Sequence, residues 1–273
     1  KAGFSEDEFY VLGGNLVYNG DNATVIEKVK EVGGIKFGYT ENKEESAWNQ
    51  PYVPSGYSIV EENGKKLNNI NEGFVIQCNT GTYQKGSQFV WVPVKSEEEY
   101  RRYYNGFTDE PTDYIDTVGE SQKDSIVKYG GFYIGRFEAS SSNVQYNNYY
   151  NYPSVIKGAK PFNARPDDNG ISGVMTSMAN AFPNFKATLV TGYMWDITCK
   201  WIYDTNSKIN KDMDYMIVEK DNVNSYKLLS IGNFDVDDYT SNGYKNTGSS
   251  EDYSLNNIYD LSGNTDEITT ERN

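Results

Sequence analysis

The sequence contains no histidine at all, and this absence removes several classes of active site. A Ser-His-Asp triad, a Cys-His dyad, a zincin helix and a facial-triad iron site each require an imidazole. Cysteine is almost as scarce, since only Cys78 and Cys199 are present and they form no Cys-x-x-Cys pair. Zinc fingers and iron–sulfur clusters are therefore excluded as well.

The two cysteines leave two alternatives open. A disulfide between Cys78 and Cys199 would fit an oxidising compartment. The other alternative is a pair of buried thiols that never meet. The sequence does not decide between them, because the two residues lie far apart in the chain and a disulfide requires a specific geometry.

Basic residues and long apolar runs are also lacking. Lys and Arg number 25 against 39 Asp and Glu, and the resulting net charge of -14 opposes contacts with phosphate groups. No apolar run approaches the length of about 18 residues that indicates a membrane-spanning helix. We therefore expect no nucleic-acid partner and no membrane span in this chain, while the acidic charge would suit cationic partners or Ca²⁺.

Aromatic residues, in contrast, are plentiful. The 24 Tyr and 12 Phe enlarge the surface that each apolar position can bury, and 273 residues are enough for a sizeable core. Residues 1–50 read as a separate N-terminal region, which Pro51 and Pro54 set off from the strands that follow. The chain begins at Lys1 rather than Met, which fits either a processed protein or a trimmed chain, and in both cases a signal or anchor could have been lost.

Alternating apolar residues predict four strands, over residues 57–60, 73–78, 88–94 and 130–138. In the third strand, Phe89 and Trp91 should lie on the face opposite Val90 and Val92. A proline at position 93 should place the end of this strand at a sheet edge or outside the ladder.

The fourth predicted strand carries two charged residues on an apolar face. A period of two places Arg136 and Glu138 on the same side as Phe132 and Ile134. This pattern predicts either a buried ion pair between the two charges or two solvated charges at a strand end.

Two amphipathic helices are predicted in the second half of the chain. Apolar residues recur at helical spacing over residues 171–182, which Pro183 ends, and again over residues 192–203. With the strands, they indicate an α+β protein.

An exposed polar loop is predicted over residues 140–152, which are mostly Ser, Asn and Tyr. Tyr146, Tyr149 and Tyr150 are its candidate ligand-binding residues, because tyrosine supplies contact area at low entropic cost, as in antibody paratopes. The alternative is a compositional bias, since the whole chain is rich in Asn and Tyr.

Six short segments follow one another in an order that resembles a known family. They are residues 54–57 (PSGY), 89–93 (FVWVP), 131–139 (GFYIGRFEA), 157–163 (KGAKPFN), 191–196 (TGYMWD) and 257–264 (NIYDLSGN). Together they resemble the formylglycine-generating-enzyme (sulfatase-modifying factor) family, especially its members on Gram-positive pilin-like surface proteins and in prophages. The resemblance implies a C-type-lectin-like α+β domain over residues 51–273, after an N-terminal extension or assembly region of residues 1–50.

The last of these segments is the most distinctive of the family. Its Asn and a Glu three residues on help to hold a structural Ca²⁺ in the family, and the matching positions here are Asn264 and Glu267. The sequence departs from the family pattern at Thr265, Asp266 and Ile268, where apolar and Trp residues are usual. An Asx-turn without a metal ion is the alternative.

The resemblance also implies what the chain does. The family's catalytic thiol pair lies in a C-terminal part that Cys78 and Cys199 do not match, and the chain ends at Asn273, before the family's C-terminal strands. We therefore expect a non-enzymatic binding or adhesion module, displayed on a cell surface or virion, that recognises an extracellular protein or glycan. The alternative is a structural subunit of a pilus-like or phage filament, joined to identical subunits through residues 1–50. A residual oxidase is the third hypothesis.

Overall fold

A computed structural model describes residues 47–103, 115–141, 153–161, 182, 187–207, 218–220, 226–228, 246–251, 254–261 and 269–270. Its two helices are α1 (Thr117–Tyr129) and α2 (Gly192–Thr205), and short 3₁₀ turns lie at Ala47–Asn49 and Glu97–Glu99. Its strands are β1 (Tyr57–Ile59), β2 (Glu61–Glu62), β3 (Lys65–Lys66), β4 (Phe74–Cys78), β5 (Gln88–Pro93), β6 (Gly131–Gly135), β7 (Ser140–Ser141), β8 (Pro153–Ser154), β9 (Val218–Lys220), β10 (Tyr226–Leu228), β11 (Ser254–Leu255) and β12 (Ile258–Tyr259).

One four-stranded sheet organises the described part of the chain. Its strand order is β1-β4-β5-β6, and every neighbouring pair is antiparallel. The remaining strands form two-stranded antiparallel pairs, β2–β3, β7–β8, β9–β10 and β11–β12. The predicted α+β class is confirmed, and all four predicted strand segments contain a strand of this sheet.

The central strand β5 shows the predicted alternation of faces. Val90 and Val92 belong to one buried cluster, whereas Phe89 and Trp91 belong to another on the opposite side of the sheet. Burying one such side chain stabilises the fold by about 1.5–3 kcal/mol. Pro93 lies inside the ladder with β6, opposite Gly131, and not at an edge or outside the ladder as predicted. It is tolerated because it lies beyond the last residue that pairs with β4, so its missing N–H costs no bond to that strand.

The two helices cover the valine face of the sheet. Ile126 of α1 packs there together with Ile197, Trp201 and Ile202 of α2. The predicted helix over residues 192–203 is therefore confirmed and extends to Thr205, whereas residues 171–181 of the other predicted helix lie outside the described residues. Neither described helix is long and apolar enough to cross a membrane.

The opposite face is covered in part by the chain that precedes β1. Trp91 donates its indole N–H to the carbonyl of Trp48 at 3.0 Å, and the hydroxyl of Tyr133 donates to the carbonyl of Tyr52 at 2.7 Å. The rings of Trp91 and Tyr133 also meet edge to face, 5.0 Å apart. Residues 47–54 are thus attached to the sheet on both sides of position 50.

Helix α1 was not predicted, although both of its ends carry capping residues. Asp116 accepts a hydrogen bond from the N–H of Gly119 at 2.9 Å, and Gly130 ends the helix in the left-handed conformation with φ 76°. Few of its side chains are apolar, and only Gly119 and Ile126 are buried. Helix α1 is therefore much less apolar than α2, and its few apolar residues did not mark it in the sequence.

The carboxylate of Asp116 joins both helices to the C-terminal segment. Beyond capping α1, it accepts from the N–H of Tyr193 at 3.3 Å and from the hydroxyl of Thr270 at 2.9 Å. Asp116 is buried, so an apolar replacement would leave these donors without an acceptor.

Replacing Asp116 with alanine should lower the free energy of unfolding by about 2 kcal/mol, since a lost cap and an unsatisfied buried donor each cost about 1 kcal/mol. Urea denaturation measures this change. Asp124→Ala is the matched control, because Asp124 is exposed on the same helix. Equal stabilities of the two variants would contradict the role of Asp116.

The turn between β11 and β12 is hydrogen-bonded to the loop before β4. Asn256 and Asn257 both have positive φ, 47° and 62°, which defines a tight type I′ hairpin. The amide of Asn257 donates to the carbonyls of Glu72 and Gly73 at 2.9 and 2.8 Å. Gly73 has φ 95°, and a Cβ there would lie 2.0 Å from the carbonyl oxygen of Asn256.

Candidate functional site

The base of the polar loop is a short, buried pair of strands. In β7 and β8, Ser140 pairs with Ser154 and Ser141 pairs with Pro153. Ser140 and Ser154 are both fully buried, and their hydroxyl oxygens lie 3.1 Å apart. Each hydroxyl also reaches the backbone carbonyl of the other residue, at 3.2 and 3.3 Å. The sequence predicted that the polar region is exposed from its start, but Ser140 is buried. The β7–β8 pair instead joins the two ends of residues 142–152.

Strand β5 carries this base. The N–H of Gln88 donates to the carbonyl of Val155 at 2.8 Å, and the N–H of Val155 donates to the hydroxyl of Ser87 at 3.0 Å. Val155 also packs into the buried cluster that contains Phe89 and Trp91. Backbone, side-chain and apolar contacts thus fix the exit of the loop to the main sheet.

The predicted site residues lie largely outside the described residues. Tyr146, Tyr149 and Tyr150 fall in the sequence between β7 and β8, and Asn264 and Glu267 follow Leu261. The candidate ligand-binding and Ca²⁺ positions therefore stay predictions. Ile258 and Leu261 of the last family-like segment are buried.

Cys78 and Cys199 are both buried and are not joined by a disulfide, which corrects the first of the two alternatives. The reason is the sheet between them. Cys78 packs with Phe74 and Ile76 on one face, whereas α2, which carries Cys199, packs on the other. The second alternative, two buried thiols that do not meet, describes this structure.

A buried arginine lies next to the base of the loop. Arg136 is 1% exposed, and its guanidinium contacts both carboxylate oxygens of Glu62 at 2.7 and 3.2 Å. It also donates to the side-chain oxygen of Gln88 at 2.7 Å. The ion pair predicted between Arg136 and Glu138 is thus replaced by a pair with Glu62, because β6 ends at Gly135 and the period of two stops there.

Aromatic rings enclose the same guanidinium. Arg136 lies 5.4 Å from the ring centroids of both Phe137 and Tyr259, within the range of a cation–π interaction. The two rings are themselves 5.0 Å apart. Arg136 therefore binds the β2–β3 hairpin and the β11–β12 hairpin to the end of β6.

Tyr259 continues this network toward the surface. Its hydroxyl donates to Glu251, whose carboxylate also accepts from Lys157 at 2.7 Å. Burial, helped by the hydrogen bond to Glu251, raises the pKa of Tyr259 well above its ordinary value. Burial alone would raise the pKa of Glu251, but the bonds from Lys157 and Tyr259 lower it overall. Tyr259 is thus a neutral donor and Glu251 an ionised acceptor at neutral pH.

A buried carboxylate closes the cluster. Asp260 accepts from the hydroxyl of Thr247 and from the N–H of Gly248, both at 2.7 Å. The hydroxyl of Thr247 in turn accepts from the N–H of Glu138 at 3.0 Å. No local pattern in the sequence indicated Thr247 or Ser154, since their partners lie 13 and 14 positions away.

The described residues of this region bind one another through hydrogen bonds and ion pairs. Among them, no group of three or more His, Cys, Asp or Glu residues is placed to hold a metal ion. Comparisons of the chain with protein-family models, curated proteins and solved structures found no match. The resemblance to the formylglycine-generating-enzyme family therefore rests on the sequence motifs alone.

Proposed function

We propose that the chain is a non-enzymatic binding or adhesion module displayed outside the cell or on a virion, with a C-type-lectin-like fold of the formylglycine-generating-enzyme kind. Its ligand is an extracellular protein or glycan, bound by the polar loop through Tyr146, Tyr149 and Tyr150. The six motif segments support the family, and the sheet with two helices on one face is compatible with the fold.

The observation that carries the binding proposal is the buried β7–β8 pair. A loop of Ser, Asn and Tyr can bind with little loss of entropy only where its ends are already fixed, and rigid elements that position adaptable loops are a common arrangement in binding proteins. Ser140, Ser154 and Val155 supply such an attachment at the end of β6.

The burial of the two cysteines supports the absence of enzymatic activity. Cys78 and Cys199 are 0% and 1% exposed, and the sulfur of Cys78 contacts the carbonyl of Thr80 at 3.3 Å. A reactive cysteine needs access to substrate and a thiolate-stabilising neighbour, such as a cation. Neither thiol is therefore suited to the oxidative chemistry of the family.

The loop can be tested by replacing its tyrosines. The triple variant Tyr146→Ser/Tyr149→Ser/Tyr150→Ser should bind its array-identified protein or glycan ligand at least about tenfold more weakly, because a central tyrosine contributes about 2 kcal/mol or more at a hot spot. The matched control is Tyr129→Ser, which removes an exposed tyrosine at the end of α1. Unchanged affinity of the triple variant would exclude the loop as the site, and a wild-type chain that binds no glycan or protein on the arrays would count against the module.

The alternative proposal is a structural subunit of a pilus-like or phage filament that assembles through residues 1–50. The attachment of residues 47–54 to Trp91 and Tyr133 favours it, because a force applied through the N-terminal region would reach the sheet directly. Electron microscopy of native particles distinguishes the two proposals. A subunit appears at a regular axial repeat, whereas an adhesion module does not need one.

A further inference from the structure

Asp260 is the most deeply buried carboxyl group of the network at the end of β6. Its exposed fraction is 0%, and it follows β12 with φ 57°, in the left-handed region. One carboxylate oxygen, Oδ2, receives both hydrogen bonds, from Thr247 and from Gly248. Through the hydroxyl of Thr247, the carboxyl group also holds the N–H of Glu138. Three segments that are distant in the sequence therefore meet at this single side chain.

The second carboxylate oxygen, Oδ1, is buried and has no hydrogen-bond partner in the part of the chain that the structure describes. A buried charge without a partner is costly, and such a group tends to bind a proton instead. Oδ2 already accepts two short bonds, so the proton would reside on Oδ1.

Two of the cations nearby, Arg136 and Lys157, are engaged by other carboxylates. The charged and titratable side chains on the elements around Asp260 are Arg136, Glu138, Lys157, Lys160, Glu251 and Tyr259. Arg136 binds Glu62 at 2.7 Å, and Lys157 binds Glu251 at 2.7 Å. Neither cation is thus the hydrogen-bonding counter-ion of Asp260.

We propose that Asp260 is a proton-controlled latch, which holds residues 246–248 against the end of β6 most firmly when Oδ1 is protonated. Release of that proton leaves a buried charge, which water can solvate only if residues 246–248 move away from the carboxyl group. Rising pH therefore favours opening of this segment, and falling pH favours the closed form.

The direction of the pH effect follows from burial. Desolvation raises the pKa of Asp260 above its ordinary value of 3.8, against the opposing effects of the bonds from Thr247 and Gly248. A carboxyl group with a raised folded-state pKa binds its proton more tightly in the folded protein. Its stabilising contribution is complete below the ordinary value and is lost as the pH rises through the folded value.

The matched variant is Asp260→Asn. Its amide oxygen can still accept from Thr247 and Gly248, and its side chain does not titrate. In thermal unfolding from about pH 4 to about pH 8, the wild-type Tm should therefore fall relative to that of the variant as the pH rises. Above the folded-state pKa of Asp260, the difference between the two Tm values should stay constant. Asp124→Asn, on the exposed surface of α1, should show no such trend. A Tm difference that is independent of pH, or that moves in favour of the wild type at high pH, would overturn the latch.

Amide hydrogen exchange in the wild-type chain tests the latch without any variant. After correction for the intrinsic exchange rate, protection of residues 246–251 should fall by up to about tenfold for each pH unit in the titration window, since one proton is released on opening. Strand β5 contains no titratable side chain. Its protection should change only as far as the stability of the whole domain does, because buried core amides exchange through global unfolding. Constant protection of residues 246–251 over the whole range would contradict the proposal, even if Asp260→Asn did not fold.

Discussion

Replacing Gly73 with alanine is expected to lower the free energy of unfolding by about 2–6 kcal/mol, because two penalties add at this position. A φ of 95° strains any residue with a Cβ, at a cost of about 1–3 kcal/mol, and the new methyl group would lie 2.0 Å from the carbonyl oxygen of Asn256. Overpacking of this kind costs a further 1–3 kcal/mol or so.

The collision cannot be relieved by a side-chain rotation, because the atom in the way belongs to the backbone of the Asn256–Asn257 turn. That turn is itself held by bonds from Asn257 to the carbonyls of residues 72 and 73. An alanine should therefore separate the β11–β12 hairpin from β4, or unfold a domain whose total stability is only about 5–15 kcal/mol.

Gly64→Ala is the matched control for this prediction. Gly64 also has a positive φ, 77°, but nothing lies within 4 Å of its ideal Cβ position. The Gly64→Ala variant should lose only the free energy of unfolding that backbone strain at positive φ costs, about 1–2 kcal/mol. Denaturant unfolding of the two variants measures the difference, and equal losses would show that the contact with Asn256 is unimportant.

The second large effect is expected when Arg136 loses its carboxylate partner. Glu62→Ala leaves a guanidinium that is 1% exposed with Gln88 as its remaining side-chain acceptor. Breaking a fully buried ion pair costs about 3–5 kcal/mol. The side chain of Glu62 is 40% exposed, so water screens part of the interaction, and we expect a loss of about 3 kcal/mol.

Glu61→Ala is the control for Glu62→Ala. Glu61 is an exposed residue on the same strand β2 and faces Lys66 across the hairpin, so its loss should change stability little. The double variant Glu62→Ala/Arg136→Met removes both charges and should be less destabilised than the sum of its single variants. A strictly additive cycle in urea unfolding would show that the pair does not act as a unit.

Local patterns in the sequence were sufficient where the neighbours of a residue decide its environment. The alternation in β5 correctly separated Phe89 and Trp91 from Val90 and Val92, because a strand has no other way to direct consecutive side chains. The apolar stripe of α2 likewise indicated a helix that the structure confirms. Helix α1 was missed because it contains few apolar residues, although capping residues lie at both of its ends.

At the candidate site, local sequence patterns did not predict the burial and the partners of the polar residues. Its base was predicted to be exposed polar loop, yet Ser140 is buried against Ser154 because a hydroxyl pair can satisfy itself inside the protein. The carboxylate partner of Arg136 was predicted to be Glu138, two residues away. The actual partner is Glu62, which lies on the β2–β3 hairpin 74 positions earlier. A strand that ends at Gly135 no longer obeys the period on which the prediction depended.

The sequence by itself determined that imidazole chemistry is excluded, that the net charge is acidic and that an α+β core can form, since composition and periodicity are properties of the chain alone. Only the tertiary structure decided which partners the buried polar groups have. Glu62 rather than Glu138 neutralises Arg136, Thr247 binds Asp260, and the sheet keeps Cys78 and Cys199 apart. These outcomes depend on how distant segments are brought together, and such long-range contacts leave no local pattern in the amino-acid sequence.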